Sequence, residues 1–160
     1  MIRLAERKDL SEIMRVYEVA RGFMRKTGNP TQWNGGYPQE NIVLDDIEKK
    51  QLFVLENEGL VCGAFAFLQG PDSTYLKIYD GKWQSDEPYF AMHRIASDGT
   101  VKGFFSLCAD YCKKKCSHLR IDTHADNKVM QHVIEKENFV RCGIIHLANG
   151  DPRIAYEFIG

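Results

Sequence analysis

The stretch Tyr89-Phe90-Ala91-Met92-His93-Arg94-Ile95-Ala96-Ser97-Asp98-Gly99-Thr100-Val101-Lys102-Gly103-Phe104-Phe105 carries the strongest chemical signal in the chain. It reads as a strand, a turn at Gly99 and a helix whose first turn lies near Gly103. A helix N-terminus presents unpaired backbone N–H groups and partial positive charge, which suits a phosphate. Gly103 would let a bulky anion approach the main chain closely. The same pattern fits equally well a plain strand-to-helix connection that binds nothing, because one glycine is a weak motif.

Cys108, Cys112 and Cys116 recur every fourth residue and so form one stripe on that helix. They lack the paired Cys-x-x-Cys plus His spacing of a zinc site, so no metal is expected and small packing residues are the ordinary reading. The total of five cysteines is odd. With no apolar leader after Met1-Ile2-Arg3, reduced thiols and a cytoplasmic location are expected. A formal net charge of -1 removes the bulk attraction of a basic nucleic-acid binder or a charge-held membrane protein. Neither nucleic acid nor membrane is therefore expected as a partner.

These residues need elements to position them. The 160 residues suit one domain spanning 1–160, and a 44% hydrophobic content suffices for one core. Ile2 to Ala5 reads as a strand. A helix follows near Asp9, with Asp9 and Glu12 spaced as a capping box and Ile13, Val16, Tyr17, Ala20 and Met24 on one face. Gly28-Asn29-Pro30 ends it, and Ile42 to Lys50 is a second helix. Leu52–Glu56 and Val61–Leu68 flank a hairpin signal, Asn57-Glu58-Gly59. Residues 71–88 read as a loop with room for one short strand. Tyr89–Ser97 is a strand, Gly103–Lys115 a helix, His118–Thr123 a strand and Asn127–Glu137 a helix. Val140–Leu147 and Arg153–Phe158 flank Asn149-Gly150, another hairpin signal. This order predicts an α+β fold with one central sheet and helices packed on its faces.

The first stretch, joined to Ile121-Asp122-Thr123-His124-Ala125-Asp126-Asn127 and to Glu135-Lys136-Glu137-Asn138-Phe139, resembles the two halves of the acetyl-CoA site of the GNAT acetyltransferases. Gln32-Trp33, His93-Arg94-Ile95-Ala96, Asp122-Thr123-His124 and Asn127 are similar to several bacterial members, and the resemblance covers nearly the whole chain. It implies a mixed, mostly antiparallel sheet flanked by about four helices, and acetyl transfer from acetyl-CoA to an amine. It also implies that main-chain groups of His93, Arg94, Ile95 and Ala96 meet the pantetheine arm. Amides of Lys102, Gly103, Phe104, Phe105 and Ser106 would hold the pyrophosphate, and Asn127 would touch the cofactor or cap its helix.

The departures from the family pattern are specific. Thr100 stands where Arg or Gln is usual, and Phe105 where the last Gly or Ala is usual, so its ring must turn away or the phosphate grip changes. Ile134 stands where many members place the tyrosine that returns a proton to the CoA thiolate, so that role does not carry over. An amine acceptor is protonated near neutrality and needs a base. His93 and His124 are the candidates, with a hydrogen-bonded core histidine as the plain alternative for each; Tyr89 is a third. A cysteine-bound acetyl group is the rival to direct attack.

The connection between the first two helices shapes the acceptor pocket in the family, which here points to Met24, Gln32, Trp33 and Tyr37. Arg25 and Lys26 could meet an acceptor carboxylate, or lie exposed. Three readings follow: a small-molecule N-acetyltransferase, a protein or peptide N-acetyltransferase, and a non-catalytic acetyl-CoA-binding module. Asp45, Asp46 and Glu48 are too few to mark an acidic peptide groove. The final hairpin offers an edge on which a homodimer could form.

Overall fold

The computed structural model describes all 160 residues. Seven strands and four α-helices alternate along the chain: β1 (Ile2–Leu4), α1 (Leu10–Lys26), α2 (Glu40–Glu48), β2 (Leu52–Asn57), β3 (Leu60–Gln69), β4 (Phe90–Ser97), α3 (Phe104–Lys115), β5 (His118–Thr123), α4 (Lys128–Lys136), β6 (Val140–His146) and β7 (Pro152–Ile159). The sheet is mixed, in the order β1-β2-β3-β4-β5-β7-β6. β4 and β5 are parallel, whereas β1/β2, β2/β3, β5/β7 and β6/β7 are antiparallel. This is the α+β layout expected from the order of elements.

The chain forms two compact units, Met1–Phe67 with His93–Phe104, and Leu68–Met92 with Phe105–Gly160. In the first, α1 buries Ile13, Val16, Tyr17, Ala20 and Arg21, the face that the helical spacing announces. The expected cap at its start is displaced. Asp9 closes a short 3-10 turn, Arg7–Asp9, accepting from the Glu6 amide at 2.8 Å and from Arg3. The pairing is thus Glu6 with Asp9 rather than Asp9 with Glu12, because Arg3 on β1 competes for the Asp9 carboxylate. The hairpin of β2 and β3 turns through Glu58 and Gly59, both at positive φ. β3 is buried from Val61 through Phe67, a strand covered on both faces.

In the second unit, β5 alternates. Leu119, Ile121 and Thr123 point one way, while His118, Arg120 and Asp122 share the other face. The segment 71–88, read from sequence as a loop with room for one short strand, contains one 3-10 turn (Ser73–Tyr75) and a single bridge from Tyr79 to Ile144. It forms a strap across the polar face of β5. Tyr75 donates its hydroxyl to Asp122 at 2.6 Å, Arg120 donates to the Ser85 carbonyl at 2.6 Å, and the His118 ring meets the Pro88 carbonyl at 3.1 Å. Polar side chains on a central strand are stable there because each finds a strap partner.

Candidate active site

β4 does not run straight. Arg94 sits at φ 50°, a left-handed conformation costing about 1–2 kcal/mol for a side-chain-bearing residue. Its surroundings hold it there. The Tyr17 hydroxyl donates to the Arg94 carbonyl at 2.9 Å, and burial pushes the Tyr17 pKa upward so that it keeps its proton. The Arg94 guanidinium donates Nε to Asp46 Oδ2 at 2.7 Å, Nη2 to Asp46 Oδ1 at 2.8 Å and Nη1 to the Tyr37 hydroxyl at 3.2 Å. Burial works against the Arg94 charge, but Asp46 and Tyr37 together outweigh it and the pKa rises. Charge-assisted bonds of about 1.5–3 kcal/mol each exceed the backbone cost. The sequence reading assigned only the Arg94 main chain and weighed Asp46, 48 residues away, only as part of an acidic groove.

The turn after β4 is built by Asp98. Its Oδ1 accepts from the Thr100 amide at 3.0 Å and the Thr100 hydroxyl at 2.7 Å, and its Oδ2 from Arg15 at 3.1 Å. Burial alone would raise the Asp98 pKa, but the Thr100 and Arg15 bonds bring it below the ordinary carboxylate value. Thr100 thus shapes the turn. Gly99 at φ 84° and Gly103 at φ 70° both face open space, with nothing within 4 Å of a Cβ built there. Gly103 immediately precedes Phe104, the first residue of α3.

The two phenylalanines at this helix start turn inward. Phe104 is 7% exposed, and its ring fills the space above Gly63, where an added Cβ would come within 2.2 Å. Phe105, equally buried, packs at 6.3 Å from the Phe139 ring. The exposed Lys102 and Gly103 are left uncovered by either ring. This local geometry fits a pyrophosphate: a left-handed glycine, open approach and a helix N-terminus. Ser106 contributes differently, because its hydroxyl donates to Glu137. Only its main chain is available to a phosphate.

The proton-transfer candidates fall into unlike settings. His93 lies half-buried in β4. His124 follows β5, and its Nδ1 accepts from the Asp126 amide at 2.9 Å. Tyr89 is 8% exposed, accepts at its hydroxyl from the Asp72 amide at 2.7 Å and stacks on Arg120. That environment makes it part of the strap anchorage. Asn127 caps α4, accepting from the Met130 amide at 3.0 Å, and Ile134 is fully buried.

The acceptor candidates divide too. Trp33 packs edge-on against Tyr17 at 5.6 Å and against Tyr37 at 6.2 Å, so Trp33 and Tyr37 join Arg94 in one cluster. Gln32 accepts from Asn29 at 2.9 Å, and the Met24 carbonyl accepts from the Asn29 and Thr27 amides. Among the thiols, burial pushes Cys108 well up and Cys112 up to about 12, so neither is a ready nucleophile. No group of three or more His, Cys, Asp or Glu is arranged to hold a metal ion.

A GNAT-family acetyltransferase from Streptococcus agalactiae is 33% identical, with a TM-score of 0.90, over 100% of this chain and 95% of its own. The chain belongs to the GNAT acetyltransferase family. A provisionally assigned acetyltransferase from Staphylococcus aureus Mu50 is 26% identical, with a TM-score of 0.71, over 99% of this chain and 98% of its own. The ribosomal-protein-alanine N-acetyltransferase of Brucella melitensis shares the GNAT fold at 14% identity and a TM-score of 0.64, over 100% of this chain and 99% of its own. No family model and no curated protein matches the sequence. No helix is long and apolar enough to cross a membrane.

Proposed function

We propose that this GNAT protein, a single domain over residues 1–160, transfers acetyl from acetyl-CoA to the primary amine of a small molecule. The observation that carries this reading is the turn from β4 to α3. There Gly103 faces open space at φ 70° while the Phe104 and Phe105 rings pack inward. Lys102, Gly103, Phe104, Phe105 and Ser106 supply main-chain contacts for the pyrophosphate, and the bulged His93–Ala96 stretch supplies them for the pantetheine arm. Asn127 caps α4 beside the cofactor. Attack is direct: the amine nitrogen bonds to the thioester carbon and the CoA sulfur leaves as thiolate. The raised thiols of Cys108 and Cys112 support this over an acetyl-cysteine route.

His93 is assigned as base. One proton leaves the ammonium before attack and a second leaves nitrogen as the amide forms. His93 passes the second to the departing thiolate, leaving a net release of one proton. This route dispenses with the tyrosine that Ile134 replaces. His124, after β5 with the Asp126 amide at its Nδ1, is the second candidate for the base. Titration with acetyl-CoA by calorimetry, paired with thiol release over a panel of small amines, tests the reading. Binding with release on one amine class supports it. Release only with peptide N-termini would replace the acceptor, and tight binding without release would leave a non-catalytic module. No binding at all would end the acetyl-CoA reading.

A further inference from the structure

The cluster around Arg94 has more donors than it uses. A guanidinium carries five N–H groups. Arg94 spends two on Asp46 and one on Tyr37, and its other two meet no acceptor in the chain. The Tyr37 oxygen accepts from Arg94 at 3.2 Å, which leaves the hydroxyl proton to be given elsewhere. The Trp33 indole, 6.2 Å from the Tyr37 ring, also donates to no atom of the protein. Arg94 and Asp46 are 14% and 2% exposed at their side chains, so the unspent edge of the guanidinium is partly sheltered while its charge is balanced. Donors at such an edge meet water in the free protein and stand ready for an acceptor from outside the chain.

We infer that Arg94 and Tyr37, beside the Trp33 ring, bind a carboxylate on the acceptor amine, so that the acceptor is an amino-acid-like molecule with an apolar or aromatic side chain. This rests on the acetyltransferase reading and names its substrate class. Asp46 grips the Nε–Nη2 side of Arg94 and aims the rest of the planar fork, the geometry that pairs with two carboxylate oxygens. The Tyr37 hydroxyl adds a donor, and the Trp33 face offers apolar contact. Because Asp46 already neutralises Arg94, the pocket recognises its oxygens by directed donation rather than by net charge. A bare amine with no acceptor atom leaves these donors unpaired.

The test compares thiol release from amino acids with release from the amides and the decarboxylated amines of the same side chains, phenylalanine, phenylalaninamide and 2-phenylethylamine among them. We expect kcat/KM for the best amino acid to exceed that of both counterparts by about tenfold or more. In Tyr37→Phe the KM for the amino acid rises and most of that preference is lost. Arg94→Lys keeps the charge but lacks the fork, and it loses the preference as well. Equal rates with and without the carboxylate, a preference for the amide, or turnover of neither class would overturn the inference. Calorimetry of the wild-type protein with acetyl-CoA, paired with thiol release over the wider amine panel, separates the two failures: retained binding with release from another amine means that only the carboxylate assignment is wrong, whereas lost binding, or binding without any release, removes the acetyltransferase reading itself.

Discussion

Two arginines in this protein, Arg120 buried and Arg94 half-buried, are held by carboxylates in contrasting ways. Arg120 is closed in: its guanidinium lies 4.0 Å from the Trp83 ring centre and 4.1 Å from that of Tyr89. Its partner Glu157 is fully buried, with Oε2 shared by Arg120 at 2.9 Å and His118 at 2.5 Å, and Oε1 taken by the Gln84 amide at 2.7 Å. Arg94 is closed on one side only, by Asp46, and the edge beyond Tyr37 is uncommitted. The first arrangement spends its polar atoms on folding, clamping the strap to β5. The second leaves one edge of a partly exposed guanidinium open. What separates the two is access: both faces of the Arg120 guanidinium are covered by rings, whereas the Arg94 side chain keeps an exposed edge.

The sharpest way to break this contrast is Glu157→Gln, which leaves Arg120 and His118 without their counter-charge. A loss of about 3–5 kcal/mol in unfolding free energy is expected, measured by denaturant titration. Asp46→Asn should cost less, about 1–3 kcal/mol, because the open edge of Arg94 can hydrate. That variant should also raise the acceptor KM more than it changes acetyl-CoA affinity. A larger stability loss from Asp46→Asn than from Glu157→Gln would reverse the comparison.

A smaller effect separates a cap from both clusters. Asn127→Ala should lower stability by about 1 kcal/mol through the lost bond to the Met130 amide, read as a modest fall in Tm.

Acid should act on the first unit through Asp9 and Asp98. The Arg3 bond chiefly holds Asp9 below the ordinary carboxylate pKa, against burial; Asp98 is lowered by Thr100 and Arg15, also against burial. A depressed folded-state pKa gives stability that is present above the unfolded value of about 3.9 and lost as pH falls through the folded values. Stability measured from pH 6 to pH 2, in about one-unit steps, should fall below about pH 4. Asp98→Asn should remove its part of that slope.

Much of the fold was legible because local rules agreed. α1 announced its buried face by spacing, the final hairpin by Asn149-Gly150, and the β4-to-α3 turn by Gly99 and Gly103. The strap over 70–89 was not legible. Its order comes from His118, Arg120 and Asp122 on β5 rather than from any periodicity of its own. Asp9 was assigned the wrong capping partner because Arg3, its strongest partner, lies on another element. Within the site, Phe105 raised a question that sequence could pose but not answer. Its ring turns to Phe139, a partner 34 positions along the chain.

The sequence by itself determined the order of elements, the helix start able to meet a phosphate, and the resemblance that names the family, because each depends on near neighbours or on an ordered motif. Tertiary structure alone decided that Arg94 meets Asp46 and Tyr37, that His124 Nδ1 accepts from the Asp126 amide, and that Tyr89 serves the strap. Those outcomes depend on which donor reaches which acceptor, and a folded chain chooses such partners by proximity in space rather than by distance along the sequence.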